Sequence, residues 1–204
     1  MIESHTLFVD KMWSAKMPNH EVFKKQVEDI MTIEKNKDIH QFSTEPEREC
    51  NVKAIRTSWR SHHEYPPIRD ITEEIKIFLH EVIQKEKYKI NKIMTLEAWA
   101  NLYRKNDHAI PHHHGKGVIA CVYFVSIPKD SKSRFLLYNK NFNAMSEKDE
   151  NKEVLAVNIN EGDIILFPGP MVHSVTNNQS NKERITVAIN YECLWHNKRE
   201  TNDY

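Results

Sequence analysis

The run Ile110-Pro111-His112-His113-His114-Gly115 carries three adjacent imidazoles just ahead of an apolar stretch, Val118 to Val125. In an extended strand, side chains two positions apart share a face, so His112 and His114 point one way and His113 the other. Imidazole is the commonest protein ligand for first-row divalent ions. Two imidazoles on one face ask for a third donor from a distant strand packed opposite. His173, closing Gly162-Asp163-Ile164-Ile165-Leu166-Phe167-Pro168-Gly169-Pro170-Met171-Val172-His173, is the candidate. Taken alone, a triple histidine reads as well as a solvated loop tract, so the surroundings must decide.

A second constellation lies further on. Arg184, Thr186, Ala188 and Asn190 alternate with Ile185, Val187, Ile189 and Tyr191, giving a strand with one polar and one apolar face. Arg184 follows His173 by 11 residues (184 − 173). That leaves room for Val175 to Glu183 to turn and for the next strand to run back beside the metal. An inward guanidinium needs an anion, and its planar fork of donors matches a carboxylate bidentately. A structural salt bridge to one of the chain's many acids would explain the arginine equally well.

The elements that must position these residues divide at the histidines. All four glycines, Gly115, Gly117, Gly162 and Gly169, lie in the second half. Before them, Phe23, Val27, Ile30 and Met31 recur at helical steps, with Asn19 placed to cap. A stronger stripe, Ile68, Ile71, Ile75, Phe78, Leu79, Val82 and Ile83, predicts a helix ending near Lys85 to Tyr88, with Asp70 and Glu73 spaced like a capping box. Asp38 to Pro67 reads as polar and irregular. Within it, Thr57-Ser58-Trp59-Arg60-Ser61-His62-His63 offers a tryptophan that anchors a loop or touches substrate.

From Lys92 the period changes to two. Ile93 to Arg104 sets Trp99, Asn101 and Tyr103 on one face and Ala98, Ala100 and Leu102 on the other. Val118 to Val125 is apolar throughout, as in a strand covered on both faces. Phe135 to Tyr138, Val154 to Ile159, Asp163 to Phe167, Met171 to Thr176 and Arg184 to Tyr191 follow as short strands, with turn chemistry at Asn160-Glu161-Gly162-Asp163. Seven or so strands suggest a sandwich or barrel. Residues 139–153 are charged and Asn-rich, a loop of the kind that forms lids.

At 204 residues the chain suits one domain. We divide it into a helical support region at 1–88, a β core at 89–195 and a polar tail at 196–204. Twenty-nine basic residues balance 29 acidic ones, so no global field advertises nucleic acid or a membrane surface. Three unpaired cysteines, Cys50, Cys121 and Cys193, read as reduced thiols of a cytoplasmic protein, and no apolar run approaches the roughly 18 residues of a membrane span.

Together, Trp99-x-Asn101, His112-x-His114, Val122-Tyr123-Phe124, Gly162 to Pro168, His173-x-Val175 and Arg184 to Asn190 resemble the iron(II)- and 2-oxoglutarate-dependent dioxygenases. More narrowly, they resemble members of the prolyl-hydroxylase-like superfamily from phages and aquatic bacteria, and Thr57-Ser58-Trp59 fits that group. The resemblance spans roughly residues 57–191. It implies a double-stranded β-helix, or jelly roll, preceded by helices. His112, His114 and His173 would be the iron ligands and Arg184 the partner of the distal carboxylate of 2-oxoglutarate. Asn101 and Tyr103 would touch this cosubstrate, as would Thr186. The implied cofactors are Fe(II), 2-oxoglutarate and O2, with ascorbate in addition. The implied reaction couples decarboxylation of 2-oxoglutarate to succinate with hydroxylation of a C–H bond.

One departure matters. Most of that superfamily carries a carboxylate where this chain has His114, so here the protein lends the metal no negative charge. Asp107, five residues before His112 (112 − 107), or His108 could substitute or support the ligands. His113 reads as outward-facing. The nearest rival is a cupin, a metal-binding protein acting as isomerase, cosubstrate-independent dioxygenase or plain binding module. The Gly162 to Asn177 segment approaches a cupin motif, but no glutamate follows His114 at the required spacing, and cupins have no general need of Arg184. The substrate, small-molecule or peptidyl, is left open, as is a homodimer.

Overall fold

The computed structural model of the protein describes residues 11–37, 51–141 and 153–195. Its strands are β1 (Trp13–Lys16), β2 (Val52–Lys53), β3 (Ile55–Arg56), β4 (Ile90–Tyr103), β5 (His108–His112) and β6 (Val118–Ser126). They continue as β7 (Phe135–Tyr138), β8 (Val154–Val157), β9 (Asp163–Pro168), β10 (His173–Val175) and β11 (Arg184–Trp195). Two helices, α1 (His20–Lys35) and α2 (Pro66–Glu86), interleave with the first of these.

Both helices form on the apolar stripes read above. Val27, Ile30 and Met31 are buried on α1, and Ile68, Ile71, Ile75, Leu79 and Val82 on α2. Their caps differ from expectation. Asn19 does occupy the N-cap of α1, but in a left-handed conformation (φ 51°) rather than the extended one typical of a capping residue, and no side-chain cap forms. In α2, Pro66 opens the first turn with its fixed φ, so Asp70 and Glu73 lie inside the helix and make no capping box. Glu73 instead pairs with Lys76 on the exposed face at 2.6 Å.

Pairing between these strands is antiparallel and, among the described residues, builds two sheets. One has six strands in the order β1-β9-β6-β11-β4-β3, the other five in the order β2-β5-β10-β7-β8. This is the expected jelly-roll class, with β11 in the middle of the larger sheet. Alternation sorts the core into two layers. Ala98, Ala100, Leu102, Cys121, Tyr123, Ile185, Val187, Ile189 and Tyr191 face the helices. Phe124, Ile165 and Phe167 face inward, where they meet Phe135, Leu137 and Val175 of the smaller sheet. The apolar run in β6 is therefore covered on both faces, as its sequence required. Tyr191 ties β11 to α2 by donating its hydroxyl proton to the Thr72 carbonyl at 2.7 Å.

Several elements escaped the sequence. β1 to β3 were not anticipated, because strands of two to four residues at sheet edges show too little alternation to register. β8 stops at Val157 and β10 spans only three residues, whereas β11 runs on to Trp195. Cys121 and Cys193 are buried free thiols. Cys50, most of the proposed lid and the polar tail lie outside the described residues. Among those described, no helix is long and apolar enough to cross a membrane.

Candidate metal centre

The pairing of β10 with β5 sets His173 directly opposite His112. His114 lies just past the end of β5. Its N–H donates to the Gly169 carbonyl at 2.8 Å, and the Gly169 N–H donates to the Val118 carbonyl at 2.7 Å. A Cβ at Gly169 would sit 2.6 Å from the Gly115 oxygen, so only glycine lets the two loops close this tightly. The imidazole centroids are then 4.3 Å (His112 to His173), 5.0 Å (His114 to His173) and 5.3 Å (His112 to His114) apart. One ligand nitrogen from each ring lies within 4.8 Å of the other two.

Local hydrogen bonds decide which nitrogens are free. His112 Nδ1 lies 2.7 Å from the Ile110 carbonyl and His173 Nδ1 3.1 Å from that of Met171. A carbonyl only accepts, so each Nδ1 carries the proton and each neutral ring keeps its lone pair on Nε2. His114 Nε2 and His173 Nε2 face each other at 3.3 Å. Burial holds the rings neutral: desolvation lowers the pKa of His112, brings that of His114 down to about 4 and that of His173 to about 3. Phe135 and Phe167 pack against His173, with ring centroids 5.7 and 4.7 Å away, and supply the dry wall. Three neutral imidazoles with convergent lone pairs fit a divalent cation.

The same cavity reaches Arg184. It is partly open to solvent, and its lining also includes Asn101, Tyr103, Thr186 and Asn190. Arg184 is 0% exposed, yet none of its three guanidinium nitrogens has a hydrogen-bond partner among the described residues. Its guanidinium carbon lies 5.1 Å from the Tyr103 ring centre and 5.6 Å from that of Phe124, and desolvation pulls its pKa down. No salt bridge occupies it among the described residues. A buried, unpaired guanidinium is costly, so the arrangement asks for an anionic ligand with more than one oxygen.

Other candidates take different places. His113 is exposed, and its Nδ1 accepts the Gly115 N–H at 3.2 Å. Asp107 accepts the Arg104 N–H at 2.8 Å in the β4–β5 turn, and His108 Nδ1 meets the Asn106 carbonyl at 3.2 Å. Neither joins the three imidazoles, so the idea that one replaces a ligand is not supported by their positions. Trp59 packs edge-on against Trp99 at 4.7 Å and lines a recess beside the histidines with Glu97 and Asn190. Sequence reasoning missed Glu97. Carrying the two-residue period of Tyr103, Asn101 and Trp99 back by one step would have found it.

Residues 97–190 match the model of a family described as "Putative 2OG-Fe(II) oxygenase". No curated protein matches the chain. Among solved structures, it resembles a Pseudomonas putida prolyl-4-hydroxylase with a TM-score of 0.63 at 9% identity, covering 90% of this chain and 92% of that one. A prolyl hydroxylase of Trichoplax adhaerens, in complex with a hypoxia inducible factor oxygen degradation domain peptide fragment, gives 0.63 at 12% identity over 89% and 83%. HygX of Streptomyces hygroscopicus, with nickel and 2-oxoglutarate bound, gives 0.61 at 12% over 90% and 83%. At such identities the likeness is one of fold.

Proposed function

We propose, from the match of residues 97–190 to the 2OG-Fe(II) oxygenase family, that this protein is an iron(II)- and 2-oxoglutarate-dependent oxygenase. In this reading His112, His114 and His173 hold the metal and Arg184 grips the distal carboxylate of 2-oxoglutarate. The observation that carries it is a fully buried guanidinium with no counterion among the described residues, in the same cavity as three convergent neutral imidazoles.

Each residue then has a physical task. The Ile110 and Met171 carbonyls hold Nδ1–H of His112 and His173, fixing ring orientation and leaving Nε2 as the donor. Thr186 shares the cavity face of β11 with Arg184 and adds a hydroxyl donor to the same carboxylate, while Asn101 and Tyr103 line the passage between. Phe135 and Phe167 exclude water. Bound iron with O2 supplies the oxidising chemistry, coupling loss of CO2 from 2-oxoglutarate, with formation of succinate, to hydroxylation of a substrate C–H. Because the ligands bring no negative charge, the site favours an anionic cosubstrate more strongly than a site with a carboxylate ligand would.

Anaerobic titration with ferrous iron and 2-oxoglutarate tests this. The expected result is a visible charge-transfer band that needs both components and is lost in His173→Ala. A protein that binds zinc tightly, ignores 2-oxoglutarate and gives no band would be a metal-binding jelly roll without this activity.

A further inference from the structure

The pairing of β4 with β11 sets the cavity-facing residues in levels. Arg184 stands opposite Tyr103, Thr186 opposite Asn101, Ala188 opposite Trp99 and Asn190 opposite Glu97. Arg184 and Asn190 are six residues apart (190 − 184), roughly 20 Å along an extended strand. One end of the row is therefore a cation and the other a carboxylate beside an amide.

At that second end, Asn190 is 5% exposed and its Nδ2 donates to Glu97 Oε2 at 2.8 Å. A carboxylate can only accept, so this contact fixes which way round the amide lies. Its nitrogen is engaged by Glu97, and its Oδ1 is left buried with no donor among the described residues. Glu97 is half-buried and forms no ion pair among the described residues. Both side chains line a recess with Trp59, Trp99, His112 and His114, so the recess opens onto two of the three imidazoles. One orphaned amide oxygen, beside a carboxylate that accepts a single side-chain hydrogen bond and keeps spare acceptor capacity, suits a group made only of N–H donors.

We infer that this recess binds a protonated amine of the primary substrate, an ammonium or guanidinium group held between the Glu97 carboxylate and Asn190 Oδ1. The inference rests on the proposed function, in that it takes the open side of the histidines as the place where the substrate presents its C–H. Trp59 is not the cation's platform, because the Arg56 guanidinium already lies over that ring at 3.8 Å. Recognition therefore comes from the acceptors. The opposed charges also keep the two ligands in their places: a dicarboxylate is repelled at Glu97, and an ammonium is repelled at Arg184.

The test is calorimetric titration of the full chain loaded with nickel(II), which blocks turnover, using amines paired with their acetylated forms. The probes are 1,5-diaminopentane against its N,N′-diacetyl derivative, glucosamine against N-acetylglucosamine, and an N-terminally acetylated glycyl-lysyl-glycine peptide against the same peptide acetylated at Nε as well. In at least one pair, the free amine should bind about tenfold tighter or more, the usual weight of a charge-assisted hydrogen bond. Which pair responds distinguishes a free small amine from a peptidyl one. Glu97→Gln, near-isosteric and still able to accept from Asn190, should abolish the preference. Equal binding of free and acetylated forms, no binding of any, or a preference that survives Glu97→Gln would each overturn the inference. Titration of the wild type with 2-oxoglutarate is read separately: its failure sinks the oxygenase reading, whatever the amines do.

Discussion

Replacing Arg184 by methionine should move stability and cosubstrate affinity in opposite directions. The side chain is 0% exposed, all three of its nitrogens lack partners among the described residues, and its surroundings are the rings of Tyr103 and Phe124. Desolvating a charge costs several kcal/mol, and exchanging buried ionic groups for apolar ones of similar volume is neutral or stabilises by about 1–4 kcal/mol. Without ligand, Arg184→Met should therefore melt at the wild-type temperature or above it, by roughly 2–4 °C per kcal/mol for a chain of this size. For 2-oxoglutarate the sign reverses. Losing one member of a buried charged pair costs about 2–5 kcal/mol, a fall in affinity of roughly 30- to 5,000-fold. Saturating wild type at 100 times its Kd should add about 2.7 kcal/mol of stability, and the same concentration should add no more than about 0.9 kcal/mol to the variant. Thermal melts of both proteins with nickel(II), with and without 2-oxoglutarate, give all four values. A variant that melts well below wild type, yet gains as much from 2-oxoglutarate, would refute the reasoning, since the arginine would then be satisfied in the free protein and idle in the complex.

Further outcomes follow from the metal loops and the core. His112→Ala and His173→Ala should each lose the metal on dialysis, whereas His113→Ala retains it; equal loss in all three would show that the exposed ring is a ligand. Gly169→Ala forces a Cβ to within 2.6 Å of the Gly115 oxygen and 2.9 Å of that of Val118. It should cost about 1–3 kcal/mol on denaturant unfolding and weaken metal retention by displacing His114. Tyr191→Phe deletes only the hydroxyl bond to Thr72, so urea titration should register a loss of about 0.5–1.5 kcal/mol with metal content unchanged.

Much of the site was legible in the sequence because strand geometry is local. A period of two is built into an extended backbone, so the shared face of His112 and His114, the row Trp99, Asn101 and Tyr103, and the polar row Arg184, Thr186 and Asn190 follow from spacing alone. Helical stripes are local in the same sense, and both helices formed where apolar steps placed them. Capping was less legible, because it turns on one residue's φ and on where a proline starts the helix, as Asn19 and Asp70 show.

What spacing cannot supply is anything set by partners far away in the chain. That His173 falls opposite His112 is a matter of register between β5 and β10, 61 residues apart (173 − 112). The freedom of the Arg184 guanidinium is a statement about every acid among the described residues, none of which reaches it, and the orphaned Asn190 oxygen depends on Glu97, 93 residues away in the chain. The sequence by itself determined which side chains face together along each strand, since backbone geometry dictates that. Only the tertiary structure decided which of them meet and which stay unpaired, because satisfaction of a buried polar group is a sum over all its neighbours.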